Sequence, residues 1–302
     1  PIPMLKFIFQ WLDLHPGSYW LPATAASLLL VARLGFLIGR DLRAPAKRGS
    51  ADWRDGVVLF LFLHAWRWPF LFAAAEFNPD ESQLAAGALT LARDPVFWRA
   101  VDGGSSGPLN YYFLMPWRWF GVPLDYFTVR LTGLLLVWGT LFTCLRTLAT
   151  TFGRPAAWLG VLPAATFFAT VTHPDFIHYS AEHLPLLFTA VSCGLLAGRT
   201  PPDRKRLWMA CILAGALPWT KLQTAPIGLA LLGWAGWQVL REPGVAVRLR
   251  WRQAAGVLLA AALPTLLLTA LFTTTGQTEA VLRRYFLQNL LYVGNGSVTG
   301  KA

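Results

Sequence analysis

The sequence predicts an all-α fold: a polytopic bundle of transmembrane helices with about eight spans. Three observations carry this. Of 302 residues, 55% are hydrophobic and only 14% charged, where a soluble domain carries about 25% charged residues. Mean hydropathy is +0.46. Several apolar runs approach the roughly 20 residues that a helix needs to cross a bilayer. An ordinary soluble enzyme is excluded.

The spans follow from apolar runs between charge clusters: 20–39, 56–75, 126–146, 155–172, 184–199, 207–219, 222–240 and 254–273. No fixed-period repeat joins them, so 1–302 is read as a single transmembrane domain. The net charge of +11 does not point to nucleic acid, because the cations sit in short loops where they set topology. The loops 40–54, 146–154, 199–206 and 241–252 carry fifteen Lys and Arg residues, and the segments on the opposite side carry seven. Positive-inside therefore places the first set in the cytoplasm. The residues around Lys6, Ile8, Trp11 and Asp13 do not form a cleavable leader. A bacterial inner membrane is the expected location. Cys144, Cys193 and Cys211 all lie in apolar runs, which argues against a disulfide framework or a zinc site. A chain that starts at Pro1 and stops after Gly300-Lys301-Ala302 reads as a fragment of a longer one.

The acids lean the other way. Ten of the 15 lie on the outer side, and since acids contribute little to topology, outer-face chemistry is one explanation. The outer segment 76–125 is too long for a plain connection and is read as a catalytic-type loop. Its start, Phe77-Asn78-Pro79-Asp80-Glu81, predicts a helix with Asn78 as N-cap and Pro79 at the first helical position. The same pattern gives Asp80 and Glu81 a plain alternative role as carboxylates that stabilise a helix N-terminus. Further on, 109–120 reads as an aromatic helix lying at the interface.

Two further constellations stand out. The segment His173-Pro174-Asp175-Phe176-Ile177-His178-Tyr179-Ser180-Ala181-Glu182-His183 holds three of the five histidines. On a continuous helix His178 and Glu182 would share a face, either as a wall of an outer site or as a solvated turn. A divalent metal reading stays open there, since His and Glu both ligate such ions. The run 207–240 is flanked by Arg206 and Arg241 and so reads as a hairpin with Lys221 at its apex. A lysine near mid-membrane costs about 2.5–3.5 kcal/mol, which a lipid phosphate would offset and snorkelling would avoid. Arg130 stands near the outer end of its span and suits phosphate or interfacial anchoring. Within the spans, Arg33 is expected to snorkel towards the cytoplasm, Arg67 to pair with Glu76 or another polar group, and His64 to be a functional candidate.

An apolar span, the outer pair Asp80-Glu81, Gly107-Pro108-Leu109-Asn110-Tyr111-Tyr112, Phe120-Gly121 and Arg130-Leu131 follow one another in this order. The order resembles the C-type (GT-C) membrane glycosyltransferases, in particular the family 39 branch of protein O-mannosyltransferases and aminoarabinose lipid A transferases. The likeness covers about 55–240. It departs at Gly107, where that family usually has a basic residue, and in the additional span 20–39. The resemblance implies an inverting sugar transfer from a polyprenyl-phosphate donor to a lipid, glycan or protein hydroxyl at the outer face of the membrane. It further implies Asp80 as the base with Glu81 beside it, Lys221 on the donor phosphate with support from Arg130, and Glu182, His178 and Tyr111 around the substrate. No cofactor is implied, and membrane lipids are the remaining partners. A transporter or lipid-linked saccharide flippase, with His64, Arg67 and Lys221 along its path, is the alternative.

Overall fold

The computed structural model describes residues 10–11, 14–43, 51–73, 75–198 and 203–291. Expectations resting on 1–9, 44–50, 199–202 and 292–302, among them the leader, Lys47, Arg48, Arg199 and the chain end, lie outside the described residues. Each expected apolar run coincides with a helix. These are α1 (Gly17–Arg43), α2 (Trp53–Leu71), α6 (Tyr126–Phe152), α7 (Arg154–Thr170), α9 (His183–Leu196), α10 (Arg204–Thr220), α11 (Ala225–Leu240) and α12 (Val247–Thr274). By length and composition three stretches, Gly17–Arg40, Tyr126–Phe152 and Val247–Thr274, are long and apolar enough to cross a membrane. Between α2 and α6 lie α3 (Pro79–Leu91), α4 (Pro108–Tyr112) and α5 (Met115–Trp119), and α8 (Pro174–Ile177) precedes α9. After α12 the chain turns through Thr278–Ala280 into a π-helical segment, Val281–Leu287.

Helix starts follow local chemistry. Asp52 caps α2 and forms a reciprocal capping box with Asp55. The Asp125 side chain accepts the Thr128 N–H at the start of α6, and Asp203 accepts that of Arg206 at the start of α10. The aromatic stretch 109–120 forms two short helices rather than the one expected, with Pro116 inside the first turn of α5. A proline there starts a helix more readily than it continues one.

The chain divides into two compact units. The first comprises 1–82 and 125–183, the second 83–124 and 184–302. In the first, α1, α2, α6 and α7 pack together around Leu30, Leu59, Leu63, Leu141, Leu145 and Trp158. One end of this core holds a buried charge cluster. Asp55 is fully buried, takes Arg33 Nε at 2.9 Å and Arg154 Nη2 at 2.5 Å, and also accepts from the Trp158 indole at 3.3 Å. Arg33 thus reaches toward the α2 start that follows loop 40–54, the end expected to face the cytoplasm, where Asp55 and Asp52 neutralise it within the unit.

In the second unit α10, α11 and α12 pack mutually around Leu207, Cys211, Ala214, Leu231 and Ala261. Small residues let the backbones approach, as in membrane helix pairs generally. A Cβ built on Gly215 would lie 1.9 Å from the Ala261 carbonyl oxygen, so α10 and α12 touch there through glycine alone.

Candidate functional site

In the first unit the acidic pair opens α3, as the sequence pattern predicts. Asn78 Oδ1 accepts the Asp80 N–H at 2.9 Å, and Glu81 Oε2 accepts the Phe77 N–H at 3.2 Å. The two carboxylates then part company. Glu81 is fully buried, whereas Asp80 is exposed. Glu81 is held by Arg130 through two parallel bonds, Nε to Oε1 at 2.7 Å and Nη2 to Oε2 at 2.8 Å. The remaining N–H groups of Arg130 go to the carbonyls of Phe70 (3.1 Å), Ala73 (2.6 Å) and Ala75 (2.6 Å). Its guanidinium carbon also lies 3.9 Å from the centre of the Phe77 ring. All five donors of Arg130 are therefore spent inside the unit, and the side chain is buried. This arginine has no N–H left over for a phosphate. It joins the end of α2 to the start of α3, where the carbonyls and the acid together neutralise it.

The histidine segment sits in the same unit. Asn78 Nδ2 donates to Asp175 Oδ1 at 2.6 Å, which ties this segment to the α3 cap. Arg67 is buried and donates to the carbonyls of Val171 and Phe176. It pairs with backbone, not with Glu76, whose carboxylate accepts from Ser82. His64 is stacked on Phe60, and its buried Nδ1 has no hydrogen-bond partner among the described residues.

His178 and Glu182 do not share a helix face. Helix α8 stops at Ile177, and His178 is extended with ψ 172°. Ser180 sets up a tight turn in which its Oγ accepts the Glu182 N–H and bonds the Glu182 carboxylate at 2.6 Å. The Ser180 N–H donates to His183 Nδ1 at 3.3 Å, so that nitrogen carries no proton. This serine chemistry wins over helix continuation because it satisfies the backbone at the start of α9. His178 is buried beside Tyr179, with Nδ1 2.7 Å from the Tyr179 carbonyl, while Glu182 is exposed. Among the described residues no three His, Cys, Asp or Glu side chains gather to hold a metal ion.

In the second unit, Lys221 lies at the turn between α10 and α11, as expected for the hairpin apex. Its backbone is extended, with φ −157° and ψ 124°, and a short 3-10 turn, Leu222–Thr224, follows. Lys221 pairs with Ser106 in an isolated antiparallel bridge. The Gly107 N–H and Asn110 Nδ2 both donate to the Thr220 carbonyl at 2.8 Å, and the Tyr285 hydroxyl donates to the Pro218 carbonyl. A Cβ on Gly107 would lie 2.1 Å from the Trp219 carbonyl oxygen. The absence of a side chain at Gly107 is thus what lets the turn close on the apex.

Tyr111 is fully buried, with its ring 5.1 Å from that of Phe97, and belongs to the packing under α3 and α4 rather than to an open surface. In the same loop the Arg99 guanidinium, bonded to Asp94, holds that carboxyl below its usual range and is itself pushed up.

Three features escaped the sequence reading: the Asp55 cluster, the Trp219–Tyr285 ring stack, with centroids 6.0 Å apart, and the left-handed backbone of Trp98, φ 65°. Only the first had a signal. Asp52 and Asp55 at capping-box spacing precede an apolar run that has arginines on either side of it. No protein-family model, no curated protein and no solved structure matches the chain.

Proposed function

We propose that the chain is an integral-membrane glycosyltransferase of the C type. It would move a sugar from a polyprenyl-phosphate donor to an acceptor hydroxyl at the outer face of a bacterial inner membrane, inverting the anomeric carbon. The observation that carries this reading is the division of labour within the acidic pair. Glu81 is locked to Arg130, while its neighbour Asp80 is exposed on the first turn of the helix so anchored. A carboxylate in that situation suits a general base.

In the proposed step the acceptor oxygen attacks the anomeric carbon and forms the new C–O bond as its proton passes to Asp80. The bond from that carbon to the phosphate oxygen breaks, and the polyprenyl phosphate leaves with the electron pair. Glu81 acts as a positioning residue that fixes the turn bearing Asp80. Glu182, exposed in the same unit, is assigned to the acceptor. Lys221 is assigned, within its own unit, to the charge that develops on the departing phosphate.

The test is transfer of radiolabelled sugar from polyprenyl-phosphate donors in membranes containing the intact chain, Asp80→Asn or Glu182→Gln. Label should move with the intact chain, be lost in Asp80→Asn at unchanged protein level, and fall in Glu182→Gln. Full transfer by Asp80→Asn would remove the base assignment. No transfer from any such donor by a well-expressed intact chain would sink the enzyme reading and leave transport as the next activity to assay.

A further inference from the structure

In the second unit the segments 203–206 and 241–252, which flank α10, α11 and α12 at one end, carry seven Lys and Arg residues against two acids. Several of these charges are satisfied where they stand. Asp203 caps α10 and pairs with Arg206. Arg250 donates to the Val245 and Leu240 carbonyls, and Arg241 lies 3.7 Å over the Trp237 ring.

The remainder converges on a cavity of about 500 Å³ at this end of the unit. Arg204, Arg252 and Trp208 line it, and Leu207, Val239 and Leu249 give it apolar walls. Among the described residues, no hydrogen bond or ion pair engages the side chains of Arg204 or Arg252, nor the Trp208 indole N–H. Arg252 also follows Arg248 by four residues on α12, a like-charge spacing that costs a helix stability unless an anion relieves it. The one acid of the cavity not already taken is Glu242, so the unspent groups are mostly donors, with a positive balance.

We infer that this cavity binds the phosphate of an anionic phospholipid. Arg204 and Arg252 supply guanidinium donors, which suit phosphate oxygens, and the Trp208 indole adds a third donor. The positive balance selects a headgroup with net negative charge over a zwitterionic one, which brings a cation of its own into a basic site. Glu242 works against the bound anion and moderates the affinity.

The surroundings favour a lipid over a soluble phosphate as the source. Trp208, Trp237 and Trp251 are all exposed at this end, and tryptophan concentrates where apolar chains meet headgroups. Helix α12, which contributes Arg252, is long and apolar enough to cross a membrane. Basic pockets between such helices take up anionic headgroups, and the apolar walls here receive the first carbons of the chains. This inference needs no transfer activity and stands or falls apart from the proposed function.

Native mass spectrometry of the detergent-solubilised full chain, titrated with phosphatidylglycerol and phosphatidylcholine of matched acyl chains, tests it. Phosphatidylglycerol should bind about tenfold more tightly, in keeping with one to two cations near a membrane surface. Arg204→Gln and Arg252→Gln should each remove most of that preference. Both side chains are exposed, so these variants should fold like the parent. Lys205→Gln takes the same charge from the same segment but does not line the cavity, and should keep most of the preference. Glu242→Gln should tighten phosphatidylglycerol. Inorganic phosphate at millimolar concentration should not displace the lipid. Equal binding of the two lipids by the intact chain, or an unchanged preference in both arginine variants, would overturn the inference. An equal loss in Lys205→Gln would do so too, by showing diffuse attraction in place of a site. Weaker phosphatidylglycerol binding in Glu242→Gln would mean that the acid meets a cation of the ligand, and displacement by inorganic phosphate would make the ligand a soluble anion; either result overturns it.

Discussion

Arg130 grips both carboxylate oxygens of Glu81, at 2.7 and 2.8 Å, in a place where neither side chain meets solvent. Removing one member of such a pair leaves the other charge buried and uncompensated, which costs about 3–5 kcal/mol. Arg130→Ala should therefore lower the thermal midpoint of the detergent-solubilised chain sharply and reduce its yield from membranes. Asp80→Asn, one residue away but exposed, should stay within about 0.5 kcal/mol of the parent. Differential scanning fluorimetry on both variants decides this. Equal stability of the two would mean that the buried pair contributes no more than a surface charge.

The Asp55 cluster makes a related prediction with a different signature. Asp55→Asn leaves Arg33 and Arg154 facing an amide in place of the carboxylate that both now contact. The expected loss is again about 3–5 kcal/mol, and part of it should be recovered when Arg33 is replaced as well. A double-mutant cycle of Asp55→Asn with Arg33→Leu, read by thermal unfolding, should show a coupling of about 0.5–3 kcal/mol. Strictly additive losses would show that the two residues stabilise the unit independently.

These buried pairs mark the point where the sequence stops being readable. The apolar runs were legible because burial in lipid or core selects composition over a contiguous stretch, so 126–146 and 254–273 fall within α6 and α12. The Asn78 cap was legible because its partner is two residues away. Arg130 and Glu81 stand 49 positions apart and Arg154 and Asp55 99 apart, and helical periodicity holds no information about which faces of distant helices meet. Arg130 therefore read as available for phosphate when its donors are consumed inside the unit. The His178–Glu182 spacing misled for a different reason: it presumes an unbroken helix, and Ser180 offers the backbone a competing turn.

Packing between α10 and α12 offers a purely steric test. A methyl group at Gly215 would overlap the Ala261 carbonyl oxygen, a backbone atom that moves only if α12 moves. Gly215→Ala should destabilise the second unit by about 1–3 kcal/mol, the usual cost of overpacking. Gly236→Ala, on α11 where an added Cβ meets nothing within 4 Å, should be neutral or slightly stabilising, since alanine favours helix. Limited proteolysis and thermal unfolding of the two variants separate close packing from a general intolerance of substitution.

Acid should act on the first unit through Asp52. Burial alone would raise its carboxyl, but hydrogen bonds from Arg154 and the Asp55 backbone, with the charges of Arg154 and Arg33, outweigh burial and hold it below its ordinary value of 3.8. A carboxylate whose pKa is depressed on folding binds protons more weakly in the folded chain than in the unfolded one. Its contribution is therefore fully present above the unfolded value and lost as pH falls through the folded one. The thermal midpoint should be flat on this account from about pH 7 to pH 5 and fall below about pH 4. Asp52→Asn should flatten that acid limb. Because Asp52 is partly exposed, added salt should shrink the effect as well, through screening of its arginines. An acid limb of equal steepness in Asp52→Asn would remove Asp52 as its source.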